Sequence, residues 1–97
     1  MQRKDFCVYI MSNFSRTLYV GVTSNLKERV YQHKKKLWPG FTTKYNVTKL
    51  MFWESWPDAI SAIRREKEIK GWTRKRKESL IEFRNPEWDD LAARWFR

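Results

Sequence analysis

The sequence predicts an α+β domain, a small three-stranded antiparallel sheet flanked by helices in the order β-β-α-β-α-α. Three observations carry that prediction. Two short β-branched and aromatic runs, residues 6–11 (FCVYIM) and 17–22 (TLYVGV), are joined by turn material, Ser12-Asn13-Phe14-Ser15-Arg16, and so fold back as a hairpin. A third run of the same character spans residues 48–56 (TKLMFWESW). Between and beyond these runs, apolar residues recur at helical spacing, punctuated by cap residues.

Taken in order, the first strand puts Val8 and Ile10 on one face and Tyr9 on the other. In the second strand Leu18, Val20 and Val22 share a face, and Tyr19 and Gly21 lie opposite. A turn centred near Phe14 sets Tyr9 directly across from Tyr19. Thr23-Ser24-Asn25 offers helix caps, and Leu26, Val30 and Leu37 predict a helix over 26–36 that Trp38-Pro39-Gly40 ends. Residues 41–47 read as a loop or edge segment before the third strand. Pro57 fits a first helical position, and the helix runs to Lys70, stopped by Gly71. Its apolar stripe reads as Trp56, Ala59, Ile60 and Ile63. Thr73 caps another helix to about Arg84, and Asn85-Pro86 opens a short one through Trp88 and Leu91.

A chain of 97 residues makes one domain, 1–97. With 41% hydrophobic and 16% aromatic residues it has material for a core. The net charge of +10, from 21 Lys and Arg against 11 Asp and Glu, points to a polyanionic partner. Nucleic acid is the expected partner, with an anionic membrane surface as its rival. One cysteine excludes an intrachain disulfide and a thiolate zinc site, and Cys7 in its apolar run reads as a buried small hydrophobe. The first residues lack the apolar stretch of a signal peptide, and no run approaches the roughly 18 apolar residues of a membrane span. A cytoplasmic location away from the membrane is the expectation. There is no glycine-rich phosphate loop, no G-x-S-x-G elbow and no His-x-x-x-His pair.

Three placements could carry chemistry. The two tyrosines of the hairpin either pack as a cross-strand pair or present two phenols to one site, and Gly21 beside them marks a close approach by a backbone or ligand. Arg29 and His33 share one side of the first helix, followed by Lys34-Lys35-Lys36. That side is either a solvated basic face or a phosphate clamp, for which a planar guanidinium is well suited. Glu66 falls about 60° from both Ile63 and Ile69 on its helix, interrupting the core-facing side. A carboxylate there needs a cation, either a hard divalent ion or a base such as Arg65 or Lys70. Residues 64–77 form a dense basic stretch interrupted by Trp72, which is either a core residue or a stacking platform for an unpaired base. Asn85 is a helix cap or a polar contact. The candidate nucleic-acid contacts are Lys34, Lys35, Lys44, Arg65, Lys70 and Asn85.

These residues together resemble the GIY-YIG nuclease superfamily. Cys7-Val8-Tyr9 matches the first half of the name, and Tyr19-Val20-Gly21, ten residues on, matches the second. Residues 22–33 (VTSNLKERVYQH) look like the family's helix with its arginine and following histidine. Glu66 in Arg65-Glu66-Lys67-Glu68-Ile69-Lys70 looks like the metal-binding glutamate. Asn85-Pro86-Glu87-Trp88 resembles the ending of the small single-domain bacterial branch, related to the N-terminal nuclease domain of the excision-repair excinuclease. The resemblance implies an endonuclease that hydrolyses phosphodiester bonds, with DNA as the partner and one Mg²⁺ or Mn²⁺ held by Glu66. It implies Tyr19, or failing that Tyr9, as general base, Arg29 as the phosphate clamp and His33 as its support or a proton relay. A protein partner could supply specificity, and the alternative is a non-catalytic nucleic-acid-binding module that keeps the fold. Cys7 stands where the name has glycine, and Val22 stands where the repair relatives carry a lysine near the reacting tyrosine. Lys44 is a candidate replacement for that lysine.

Overall fold

The continuous apolar run of β1 (Phe6–Ser12) follows from its position. It is the middle strand of an antiparallel sheet of order β2-β1-β3, between β2 (Tyr19–Thr23) and β3 (Lys49–Trp56). Such a strand is covered on both faces, and residues 7–12 are all buried. The computed structural model describes residues 5–96. Its helices are α1 (Leu26–Lys35), α2 (Phe41–Lys44), α3 (Ala59–Lys70) and α4 (Arg74–Arg84). The predicted order holds, with the one-turn α2 added inside the segment expected to be loop or edge.

The alternation of β1 splits the interior into two cores. Val8 and Ile10 join Val20, Met51, Phe52, Ala62, Ile69 and Ile81 on the face covered by α3 and α4. Tyr9 and Met11 join Val30 of α1, Val47, Leu50 and Ala92 on the other face. Fully burying one such aliphatic side chain stabilises the fold by about 1.5–3 kcal/mol, so Val8 and Ile10 on one face and Tyr9 and Met11 on the other anchor both layers. A register shift between Ile10 and Met11 against β3 turns the consecutive residues Met51 and Phe52 toward the same core. Cys7 is buried, with its sulfur 3.8 Å from the Ser55 hydroxyl.

The caps are side-chain acceptors. Asn25 accepts from the Glu28 N–H at 3.2 Å and Thr73 from the Arg76 N–H at 3.2 Å, as their positions predict. The start of α3 differs from the expectation. Asp58, not Pro57, begins it, accepting from the Ser61 N–H at 2.7 Å. Gly71 does end α3, but in a right-handed conformation.

The helix expected after Asn85 is absent among the described residues, and the chain there forms turns and bends. Asn85 is instead the C-cap of α4 and is only 4% exposed. Its amide donates to the Met51 carbonyl at 3.1 Å and the Asp89 carbonyl at 2.8 Å, and its oxygen accepts from the Asp89 N–H at 3.0 Å. The tail so directed closes the edge of β3. Leu91 N–H donates to the Leu50 carbonyl at 2.8 Å, and Asp90 accepts from the Leu50 N–H at 3.0 Å. No described helix is long and apolar enough to cross a membrane.

The hairpin register also differs by two residues from the expected one. Tyr9 faces Gly21, and Met11 faces Tyr19. The connection is longer than a tight turn, with Arg16 in the left-handed region (φ 61°) and its N–H bonded to the Asn13 carbonyl at 3.0 Å. Gly21 leaves no room for a side chain. A Cβ at that position would lie 2.5 Å from the Tyr9 ring and hydroxyl. Gly21→Ala should therefore destabilise the protein by about 1–3 kcal/mol in urea unfolding. In a Tyr9→Leu background, whose side chain stops short of Gly21, the added cost of Gly21→Ala should largely vanish.

Candidate active site

The Tyr9 ring crosses the bare backbone of Gly21, and its hydroxyl meets Nε2 of His33 on α1 at 2.9 Å. Nδ1 of the same ring lies 3.2 Å from the Thr42 hydroxyl on α2. A neutral imidazole donates from one nitrogen and accepts at the other, so the two hydroxyls take opposite roles in one hydrogen-bonded chain. Tyr19, diagonal to Tyr9 on the same sheet face, completes a ring cluster. Its centroid is 6.3 Å from that of Tyr9 and 5.4 Å from that of His33. The two phenols predicted to share a face do share it, although they are not directly opposite.

Arg29 lies one turn before His33 on α1. It is exposed, and no carboxylate pairs with it among the described residues. It lines a cleft of about 180 Å³ together with Tyr19, Gln32, His33 and the Trp38–Thr42 segment. It also lines two adjoining hollows. One opens at the start of α1 beside Thr23 and Asn25, and the other lies against Ala59 and Ile63 of α3. The guanidinium thus stands where the α1 and α3 sides of the sheet meet at the β2 edge.

Burial sets the protonation of this group. It pushes the Tyr9 phenol well above its ordinary value, neighbouring Tyr19 adds to the rise, Arg29 opposes it by charge and hydrogen bonding, and the Glu66 charge raises it slightly. Burial lowers His33 to about 4, with the Arg29 charge adding to the effect. Tyr9 is therefore protonated and His33 neutral near pH 7.

Glu66 sits on the buried stripe of α3, for a reason the sequence shows only in part. Ile60 and Ile63 prove 67% and 42% exposed, and Ala62 and Ile69 are the buried positions. Glu66 falls between these last two at helical spacing, and its side chain is 13% exposed. It reaches Tyr9 through space and is not among the residues lining the Arg29 cleft. Lys70 Nζ sits 3.1 Å from one of its oxygens. Among the described residues no group of three or more His, Cys, Asp or Glu gathers to hold a metal ion. A single hard carboxylate fits Mg²⁺ or Mn²⁺, which keep most of their coordination as water and phosphate, and does not fit a zinc centre.

Several predicted phosphate contacts have internal partners. Lys34 bonds Asp90 at 2.5 Å and the Thr48 carbonyl at 2.9 Å, tying α1 to the tail. Arg65 bonds Glu54 at 3.0 Å and Glu68 at 2.9 Å. Asn85 has its amide filled by the backbone contacts described above, so a role in nucleic-acid contact does not fit it. Lys70 holds Glu66, while Lys35 and Lys44 are exposed on the α1–α2 side. Trp72 has Arg76 at 4.2 Å and Arg65 at 5.1 Å from its ring centre and packs on the α3–α4 core, so it is no free platform. Sequence reasoning missed Trp38, Phe41 and Thr42 at the cleft. The one available signal was an aromatic-rich stretch, Trp38, Phe41 and Tyr45, set among lysines in a supposed loop.

The three-stranded α+β architecture is accompanied by a family match. Residues 5–79 match the model of the GIY-YIG catalytic domain, and the chain belongs to that family, which is of the nuclease type. Among its relatives is a UPF0213 protein of Natronomonas pharaonis, 34% identical over 77 residues, covering 79% of this chain and 91% of that one. A UPF0213 protein of Staphylococcus haemolyticus is 32% identical over 77 residues, covering 79% and 94%. The solution NMR structure of a UPF0213 protein from Bacillus halodurans superposes with a TM-score of 0.58 over 93% of this chain and 97% of that one, at 22% identity, and shares the fold.

The depressed His33 gives a pH signature. The unfolded chain takes up a proton near pH 6.5, whereas the folded one resists it until about 4. Stability from this group is therefore intact above 6.5 and lost progressively as pH falls toward 4. Urea titrations at successive pH values should show a smaller loss over that window in His33→Asn than in the parent protein.

Proposed function

We propose that this protein is a metal-dependent endonuclease hydrolysing nucleic-acid phosphodiester bonds, with DNA as its substrate, acting in the cytoplasm. One observation carries the reading: Arg29 is an exposed guanidinium without a carboxylate partner among the described residues, in the same cleft as Tyr19 and His33. An unpaired arginine beside the Tyr19 hydroxyl suits an oxyanion, which can accept hydrogen bonds from both. Family membership supports the same chemistry.

Glu66 would hold one Mg²⁺ or Mn²⁺, and such an ion supplies charge neutralisation at the phosphate and the leaving oxygen. Arg29 donates to the non-bridging oxygens and holds their growing charge. Tyr19, half-buried at the cleft wall, would as its phenolate take a proton from the attacking water and become the neutral phenol. Tyr9 is the weaker candidate for that role, because burial holds its phenol protonated. It is instead a positioning residue that fixes the ring of His33 and through it α1. In-line attack breaks the P–O bond and leaves a 5′-phosphate. Exposed Lys44, near the cleft, is the candidate counterpart of the lysine missing at Val22. A separate protein partner could supply sequence specificity.

One contact favours a second reading, a binding module that no longer cuts. Lys70 occupies one oxygen of Glu66. A cleavage panel of supercoiled, linear and single-stranded DNA in EDTA, Mg²⁺ and Mn²⁺ separates the two. The nuclease reading expects cleavage in Mn²⁺ or Mg²⁺ only. Intact DNA throughout, with binding retained, would favour the module.

In that panel Arg29→Ala should lower the cleavage rate about 10²–10³-fold, and Tyr19→Phe about 10²–10⁴-fold. Tyr9→Phe should have a smaller effect on rate, together with a measurable loss of stability. Glu66→Ala should abolish cleavage while binding in EDTA stays within about twofold of the parent, since removing one acid does not weaken attraction to phosphates.

A further inference from the structure

The segment after α1 carries exposed rings where a loop ordinarily carries polar residues. Trp38 is 63% exposed, Phe41 47% and Tyr45 44%. They do not stand singly. Tyr19 stacks on Phe41 with centroids 6.3 Å apart and planes 27° apart, and Phe41 meets Tyr45 at 4.8 Å. An aromatic row thus starts at the cleft wall and runs outward, with Trp38 and Phe41 both lining the cleft that holds Arg29.

The row is held in place. Gly40, at φ 136° and ψ −160°, takes a conformation essentially reserved for glycine, and it has open space where a Cβ would stand. The turn into α2 is therefore set by backbone and not by packing. The Thr43 hydroxyl donates to the Trp38 carbonyl, and Thr42 is tied to His33. Val47 N–H donates to the Thr42 carbonyl at 2.8 Å. These bonds fix the exposed rings relative to Arg29 without burying them.

The flank is cationic. Lys35 and Lys36 precede the row, and Lys44 lies within it, its ammonium 5.4 Å from the centre of the Tyr45 ring. Exposed rings among cations, continuous with a guanidinium free of carboxylates, complement a strand of phosphates with unstacked bases. They do not complement an apolar peptide, which has no use for the charge, nor an intact duplex, whose bases are already stacked.

We propose that Trp38 and Phe41 form a stacking platform for an unpaired nucleotide of a DNA strand next to the phosphate held by Arg29, so that the substrate is single-stranded at the site. The proposal rests on the nucleic-acid reading of this cleft and extends it to the kind of strand taken. A base stacked on an aromatic ring is worth roughly 5- to 150-fold in affinity.

The test is binding in EDTA, where cleavage does not enter. Fluorescence anisotropy compares a labelled mixed-sequence single strand with the same strand annealed to its complement. Trp38→Leu should weaken single-strand binding about tenfold and duplex binding less than twofold. Trp38→Phe should restore most of the loss, which a role in mere apolar burial would not require. Because Trp38 is exposed, the variants should melt within a few degrees of the parent. A second measurement needs no variant: moving one abasic site along the single strand should find positions that weaken binding to the parent and not to Trp38→Leu. Equal losses on single strand and duplex, equal binding by the Leu and Phe variants, indifference to every abasic site, or no DNA binding at all would each overturn the proposal. A protein that binds as described but never cuts with Mn²⁺ would defeat the nuclease reading and leave the platform standing.

Discussion

The arrangement depends on one close contact, the Tyr9 ring laid across Gly21. Tyr9 projects from the central strand and is fully buried, so its phenol can reach a partner only along a cleared path. The neighbouring strand clears that path by having no side chain at residue 21. The hydroxyl then bonds His33 at 2.9 Å, which fixes the rotation of α1 about its axis. With His33 turned inward beside buried Val30, Arg29, one turn earlier, is carried to the rim of the cleft. His33 in turn holds Thr42, and the segment bearing Trp38 and Phe41 follows. A glycine on the edge strand thus bears on the geometry of a helix and a loop beyond its own strand.

The charge of the chain has a different distribution from the one its total suggests. A net +10 invites the picture of a uniformly basic surface. Among the described residues Lys34, Arg65, Lys70 and Arg74 are ion-paired. Arg65 and Arg76 also flank the Trp72 ring, and Arg84 donates to the Trp53 carbonyl at 3.2 Å. The exposed pairs are individually worth about 0–1 kcal/mol, so they direct packing more than they stabilise it. Among the described residues Arg29, Lys35 and Lys44 are exposed without an ion pair on the α1–α2 side, and Arg64, Lys67 and Lys75 are so on α3 and α4. Position, not total charge, distinguishes a phosphate site from a solubilising surface.

Much of this was legible in the sequence, and the failures have physical causes. Strand identity was readable because β1 and β3 are rich in residues that fit a pleated, buried surface, and the face assignment followed from a period of two. The caps Asn25 and Thr73 were readable because a short polar side chain before a helix has one dominant use. The register was not, because it is fixed by the conformation of Arg16 in a long turn, and a two-residue slip leaves every side chain on the same face. The stripe of α3 was misread because exposed Ile60 and Ile63 look like core residues, whereas small Ala62 makes the contact. Asn85 was expected to start a helix, when its amide serves to end one and to bind the tail. Lys34 and Arg65 looked free because their partners, Asp90 and Glu54, are 56 and 11 residues away, beyond the reach of helical spacing.

The Lys70–Glu66 pair bears on whether the glutamate can serve a metal. A carboxylate on the buried stripe of a helix needs a counter-cation, since leaving it unpaired costs several kcal/mol. Lys70 meets that need from one turn away, through a side chain that is 52% exposed. An exposed lysine loses little by swinging back into water, and an i,i+4 pair of this kind contributes about 0.3–0.5 kcal/mol. A divalent ion held by the same carboxylate would carry twice the charge of the lysine. The lysine is therefore a weak competitor, and its pairing makes the buried carboxylate tolerable without fixing its use. The same desolvation that keeps Glu66 in want of a cation raises the Tyr9 phenol and lowers the His33 imidazole, holding both neutral. The charged groups nearest the Tyr9–His33 pair are then Arg29 on α1 and, on α3, Glu66 with Lys70 beside it.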